Sequence, residues 1–174
     1  MVTITELMIP SYAKFGGKIH GGILLSLMDK AAYAAASKHS GAYCVTVSVD
    51  TVDFLQPIEV GELVSLKASI NYVGNSSMVV GIKVISENVK TGEIKHTNTS
   101  YFTMVAKDEK DKPMKVPPLI LEDKTDVRRF VEAIYRKNLK KEKKESFKNI
   151  KKDWNQDKIN TLLANERCIQ RLNG

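Results

Sequence analysis

Four strand-like runs lie between residues 43 and 106, two of them alternating apolar and polar positions with a period of two, and they follow one stretch of helical composition. Val45, Val47 and Val49 interleave with Thr46, Ser48 and Asp50, and Val64, Leu66, Ala68, Ile70 and Tyr72 interleave with Ser65, Lys67, Ser69 and Asn71. Each run predicts a strand with one face on a core. Residues 77–89 and 93–106 predict two more, joined by Lys90, Thr91, Gly92 and Glu93 in a link that suits a hairpin. Residues 3–9 alternate weakly and predict a short strand ending at Pro10.

The helical stretch is ILLSLMDKAAYAAASKH, which follows the four glycines of FGGKIHGG and contains neither Gly nor Pro. It predicts a helix from about Gly22 to Lys38. Ile23, Leu24, Leu27, Met28, Ala31, Ala34 and Ala35 make its broad apolar surface, while Ser26, Asp29 and Tyr33 share a narrow polar stripe at spacings of three and four. The alanines let a helix lie close to a sheet. One long helix followed by a run of strands predicts an α+β domain with the helix packed on one sheet.

From Asp108 the composition shifts. EKDKPMKVPPL is a charged, proline-bearing connector, and the helix-forming sequence beyond it is very polar. We therefore divide the chain into a domain at 1–118 and a basic helical extension at 119–174, with two or three loosely held helices anchored sparsely by Phe130, Ile134, Leu162 and Leu163. The net charge of +7 belongs to this second part: residues 1–106 hold eight Lys/Arg and eight Asp/Glu, against nineteen and twelve in residues 107–174. The first domain is not itself basic. Three readings of the lysine-rich extension stand side by side: a solvated appendage packed on an oligomer, a positive rim that attracts an anionic substrate, or a contact for nucleic acid or an anionic membrane. Few aromatics and no recognition motif accompany the lysines, so no nucleic-acid partner is expected.

The N-terminus lacks the basic start and apolar core of a secretory signal, and no apolar run approaches the roughly 20 residues of a membrane span. A cytoplasmic protein is the expectation. Cys44 and Cys168 lie apart, and His20, His39 and His96 have no metal-ligand spacing, so neither a disulfide framework nor a metal site is predicted. No GxSxG elbow, Walker loop or GxGxxG fingerprint is present.

What remains is a glycine turn that opens a largely apolar helix bearing one carboxylate two turns in. A helix N-terminus offers unpaired N–H groups and partial positive charge, so Gly21 and Gly22 can donate to a developing oxyanion. Asp29 on such a helix can serve as a base or a nucleophile if it faces a wet cleft. The structural reading is also open: Gly-Gly for tight packing, and Asp29 in an ion pair with Lys30 or Lys14.

Four segments occur in family order across about two thirds of the chain: GGKIHGGILLSLMD at 16–29, TVSVDTVDFLQPIEVGELV at 46–64, GNSSM at 74–78 and YFTMVAKDEKDKPMKVPP at 101–118. On these the chain resembles the hotdog-fold acyl-CoA thioesterases, the acyl-CoA hydrolase group with a broad-specificity bacterial type and a mammalian cytosolic type. The resemblance implies a long helix wrapped by an antiparallel sheet, dimers joined edge to edge, and a hexamer built as a trimer of dimers. It implies hydrolysis of fatty acyl-CoA to free fatty acid and coenzyme A, with coenzyme A as part of substrate and product and with no cofactor or metal. It makes Asp29 the catalytic carboxylate and the Gly21 and Gly22 amides the oxyanion hole. His20, Asn75, Ser76 and Ser77 are the candidate coenzyme A contacts, with a structural role open for His20 and closure of a hairpin open for the two serines. Two positions depart from the family pattern: Lys14 stands where many relatives have Asn, and the GRTS-like loop reads Gly74, Asn75, Ser76, Ser77, without its Arg. Lys14 keeps open a second function, a non-catalytic acyl-CoA-binding or sensing module, and hydration or dehydration of a thioester-linked chain is a third.

Overall fold

The computed structural model describes residues 1–14, 16–152, 155–164, 166–169 and 171. Five strands form one antiparallel sheet: β1 (Val2–Leu7), β2 (Tyr43–Val49), β3 (Glu62–Val73), β4 (Ser77–Asn88) and β5 (Ile94–Lys107), in the order β1-β3-β4-β5-β2. The β3–β4 and β4–β5 connections are hairpins. β1 and β2 occupy the two edges. Helix α1 (Gly21–Ser40) packs against all five strands. It begins one residue before the expected Gly22 and runs two past Lys38, because Gly41 closes it in the left-handed conformation (φ 68°), its N–H donating to Ser37 O at 2.9 Å.

The inward-facing residues of the three central strands set the core, those of β3 as its alternation predicts. Val64, Leu66 and Ala68 of β3, Val80, Ile82 and Val84 of β4, and Phe102 and Met104 of β5 meet Leu24, Leu27, Met28, Ala31 and Ala32 of α1, all buried. The small side chains at 31, 32, 35 and 36 allow the close helix-on-sheet approach. Edge strand β2 departs from the sequence expectation of a half-buried strand. Val47 and Val49 remain 54% and 43% exposed, for a register shift between Thr46 and Ser48 interrupts the pairing with β5 and no other strand among the described residues pairs with the outer edge.

The chain separates into two compact units, Met1–Ala133 and Ile134–Gly174. The first therefore runs past the composition break at residue 118 and takes in the start of α2 (Lys124–Lys152). There the Phe130 ring lies 5.1 Å from Tyr72. The second unit holds the rest of α2 and helix α3 (Gln156–Leu163), with Tyr135, Leu139, Phe147, Ile150 and Leu162 exposed. Among the described residues no helix is long and apolar enough to cross a membrane.

Candidate active site

Asp29 lies on the exposed side of α1, flanked in sequence by the buried Met28. The Gly41–Ala42 turn sends β2 back alongside the helix, which brings Tyr43 to Tyr33 (ring centroids 6.1 Å, edge-on) and Thr46 to Asp29. Thr46 Oγ1 donates to Asp29 Oδ1 at 2.5 Å and also touches Met104 Sδ at 3.2 Å. The hydroxyl has one proton, and the carboxylate is the stronger acceptor. No ion pair to Asp29 occurs among the described residues, so neither Lys14 nor Lys30 fills the structural role left open above. A carboxylate oriented by one hydroxyl and otherwise open to solvent can take up a proton or attack a carbon.

The start of α1 is built by a small hairpin in which Ala13 pairs with Ile19 and the Lys14 N–H donates to Lys18 O at 2.9 Å. Gly16 and Gly17 turn that hairpin at φ 94° and 74°, values that side-chain-bearing residues avoid. His20 caps the helix: Gly22 N–H donates to His20 Nδ1 at 2.9 Å. The Gly22 amide is thus engaged inside the turn, in contrast to the free donor expected from the sequence. The Gly21 N–H has no hydrogen-bond partner among the described residues.

Beside Gly21 opens a cleft of about 480 Å³ with an apolar wall of Ile19, Leu24, Phe54, Pro57 and Ile58 and with Lys14 and Lys18 at its polar side. A Cβ on Gly21 would stand 3.2 Å from Phe54 Cζ, so glycine is what lets this ring approach the backbone. Lys18 is hydrogen-bonded and ion-paired to Glu59, and that bond, followed by the ammonium's charge, holds the Glu59 carboxyl below the ordinary glutamate value. The Lys14 ammonium has no such partner among the described residues.

The predicted residues therefore fall into two groups within one chain. Gly21 lines the cleft, with His20 and Gly22 next to it in the chain. Asp29 is eight residues further along α1, roughly 12 Å at about 1.5 Å per residue. It shares the other end of the sheet with Asn75, Ser76 and Ser77, because Met104 is the cross-strand neighbour of both Thr46 and Met78. In the β3–β4 turn, Ser77 O accepts from the Gly74 N–H at 2.7 Å and Ser76 O from the Ala106 N–H at 3.0 Å, so the hairpin is closed by backbone atoms. Thr46 escaped the sequence reading. It sits at a polar position of an alternating strand, which reads as solvent-facing, and only its proximity to Asp29 gives it a role.

Residues 16–93 match the model of the thioesterase superfamily. Protein VdlD of Helicobacter pylori is 48% identical over 79% of this chain and 78% of its own length. A Bacillus subtilis protein, named an uncharacterized acyl-CoA thioester hydrolase, is 36% identical over 82% and 83%. Among solved structures, an apo-hexameric acyl-CoA thioesterase superposes with a TM-score of 0.79 at 35% identity, over 82% of this chain and 91% of that one. A Staphylococcus aureus acyl-CoA hydrolase in complex with butyryl coenzyme A and coenzyme A gives 0.77 at 32%, over 86% and 92%. The latter enzyme has also been solved with an aspartate, an asparagine or a threonine replaced by alanine. With a single helix on a five-stranded antiparallel sheet and relatives of this identity and coverage, the chain belongs to the thioesterase superfamily, among the hotdog-fold acyl-CoA thioester hydrolases.

Proposed function

We propose that this protein hydrolyses fatty acyl-CoA thioesters to the free acid and coenzyme A at a site completed by two copies of the chain, Gly21 of one and Asp29 of the other. The observation that carries the reading is the Thr46–Asp29 hydrogen bond on an exposed face of α1. The two residues are 17 positions apart, and the aspartate and threonine replaced in the Staphylococcus aureus hydrolase have numbers that also differ by 17.

The 12 Å along α1 separates the amide donor from the acid of the same chain, so both cannot reach one carbonyl. Two-fold pairing along the uncovered β2 edge would cover Val47 and Val49, lay two α1 helices antiparallel, and bring the N-terminus of each toward the middle of the other. The hexamer of the apo relative supports assembly of this kind.

In the combined site the Gly21 N–H donates to the thioester carbonyl oxygen, aided by the positive end of the helix dipole. Asp29, held by Thr46, takes the proton of an attacking water or attacks the carbonyl carbon itself; the C–S bond breaks and coenzyme A leaves as the thiol. Lys14 lies 15 positions before Asp29, the same offset that separates the asparagine and aspartate replaced in the Staphylococcus hydrolase. We assign its ammonium the place of that amide, as a second donor toward the carbonyl from the cleft it shares with Gly21. The scheme calls for no metal or cofactor.

The test is thiol release from a series of acyl-CoA chain lengths. Wild type should release thiol rapidly and Asp29→Asn should remain folded with turnover down by several orders of magnitude. Tight acyl-CoA binding by wild type without any thiol release would leave a binding module in place of the enzyme.

A further inference from the structure

The sheet face turned away from α1 carries a second polar recess, unrelated to the cleft at Gly21. On this face Lys67 of β3 stands directly opposite Lys83 of β4, and Lys83 opposite Thr99 of β5. The first turns of α2, part of the same compact unit, add Arg128 and Arg129, and these side chains enclose about 210 Å³. Like charges directly across a ladder destabilise the sheet, so Lys67 opposite Lys83 asks for a reason.

The neighbouring acids do not supply one. Glu132 bonds Arg128 at 2.6 Å and Asp126 lies 3.8 Å from Arg129, while among the described residues the ammonium of neither Lys67 nor Lys83 has a side-chain hydrogen bond or an ion pair. Four cations against two carboxylates leave the lysine pair in excess. The floor is also built to donate. Asn71 sits at the β3 bulge, is 6% exposed, and lines the recess. Its Oδ1 accepts from Ser69 Oγ at 2.9 Å, which leaves the amide nitrogen as the free donor. Room for that nitrogen exists because residue 81 is glycine: a Cβ there would come within 2.3 Å of Asn71 Nδ2. Buried amide, lysine pair and arginines converge on one volume.

At about 30 Å³ per water, 210 Å³ holds roughly seven, which suits a diphosphate group and not a whole coenzyme. We propose that this recess is a second anion site that takes the diphosphate group of a nucleotide, with the base lying outside it. The diphosphate has two possible sources, a free nucleoside diphosphate and coenzyme A itself.

Calorimetric titration of the full-length protein with inorganic pyrophosphate, ADP and coenzyme A tests the site by binding alone, so its outcome is independent of thioester hydrolysis. Pyrophosphate should bind wild type, and the double variant Lys67→Gln/Lys83→Gln should bind it at least ~10-fold more weakly. The same variant should melt no lower than wild type, since the opposed charges are gone, and pyrophosphate should raise the Tm of wild type only. Displacement of pyrophosphate by coenzyme A, with KM for acyl-CoA raised in the variant and kcat unchanged, would identify the substrate's own diphosphate. Displacement by ADP but not by coenzyme A would identify a free nucleotide. Absence of pyrophosphate binding up to about 10 mM, or equal affinity in the double variant, would overturn the proposal.

Discussion

Gly21→Pro deletes one amide proton from the proposed oxyanion donor while the local fold is designed to tolerate the ring. Gly21 is the first helical residue, its N–H has no partner among the described residues, and His20 before it has φ −67° and ψ 127°, a conformation compatible with a following proline. Proline at such a position stabilises by about 0.4–1 kcal/mol through the unfolded chain. Against this stands the contact of a new Cβ with Phe54 Cζ at 3.2 Å, relieved by a few tenths of an ångström of ring movement. Net stability should change by less than about 1 kcal/mol. Loss of one oxyanion-hole donor costs about 2.7–4 kcal/mol of transition-state stabilisation, or roughly 10²–10³ in kcat. Gly21→Ala introduces the same Cβ and keeps the N–H, so it separates crowding from hydrogen bonding. The assay is colorimetric thiol release with kcat and KM resolved, alongside urea unfolding. Equal kcat for the proline and alanine variants would refute the role given to this amide.

Thr46→Val removes the hydroxyl that holds Asp29 and keeps the side-chain shape; a hydrogen bond to a charged group is worth about 1.5–3 kcal/mol when buried and less here, so kcat should fall roughly 5–30-fold with Tm unchanged, and Thr46→Ser should restore much of it. Gly81→Ala should cost about 1–3 kcal/mol in urea unfolding, because its Cβ overlaps Asn71 Nδ2 at 2.3 Å. Glu59 is held below its ordinary value by Lys18, so the clip's stabilisation is in place above about pH 4.3 and is lost as pH falls further. The Tm gap between wild type and Glu59→Gln should accordingly narrow on acidification below that pH.

The fold was legible where burial and periodicity coincide. Alternation in β3 marks residues that do face α1, the runs at 77–89 and 93–106 are strands β4 and β5, and the Gly-opened, alanine-rich helix is where composition and missing breakers put it. It was less legible in β2, whose Val47 and Val49 obey the same alternation but lie at an edge, so periodicity alone did not say what covers them. The site divides the same way. Asp29 stood out because a carboxylate on an apolar helix is anomalous, whereas Thr46 is unremarkable in any strand and acquires meaning only from the turn that folds β2 onto α1. Gly22 illustrates a third case: two adjacent glycine amides look equivalent in sequence, and the His20 ring distinguishes them by bonding one. The boundary at residue 118 follows composition, while compactness follows contacts such as Phe130 on Tyr72, which composition does not register.

The central claim, that amide and acid come from different copies, is tested by mixing two inactive variants. Gly21→Pro and Asp29→Ala subunits, unfolded together and refolded at equal amounts, form mixed dimers in about half of the pairings, and each mixed dimer holds one intact and one doubly defective site. Recovery of roughly a quarter of wild-type thiol release is the predicted result. A mixture as inactive as its two components, despite verified subunit exchange, would contradict the account, since amide and acid would then have to act within one chain.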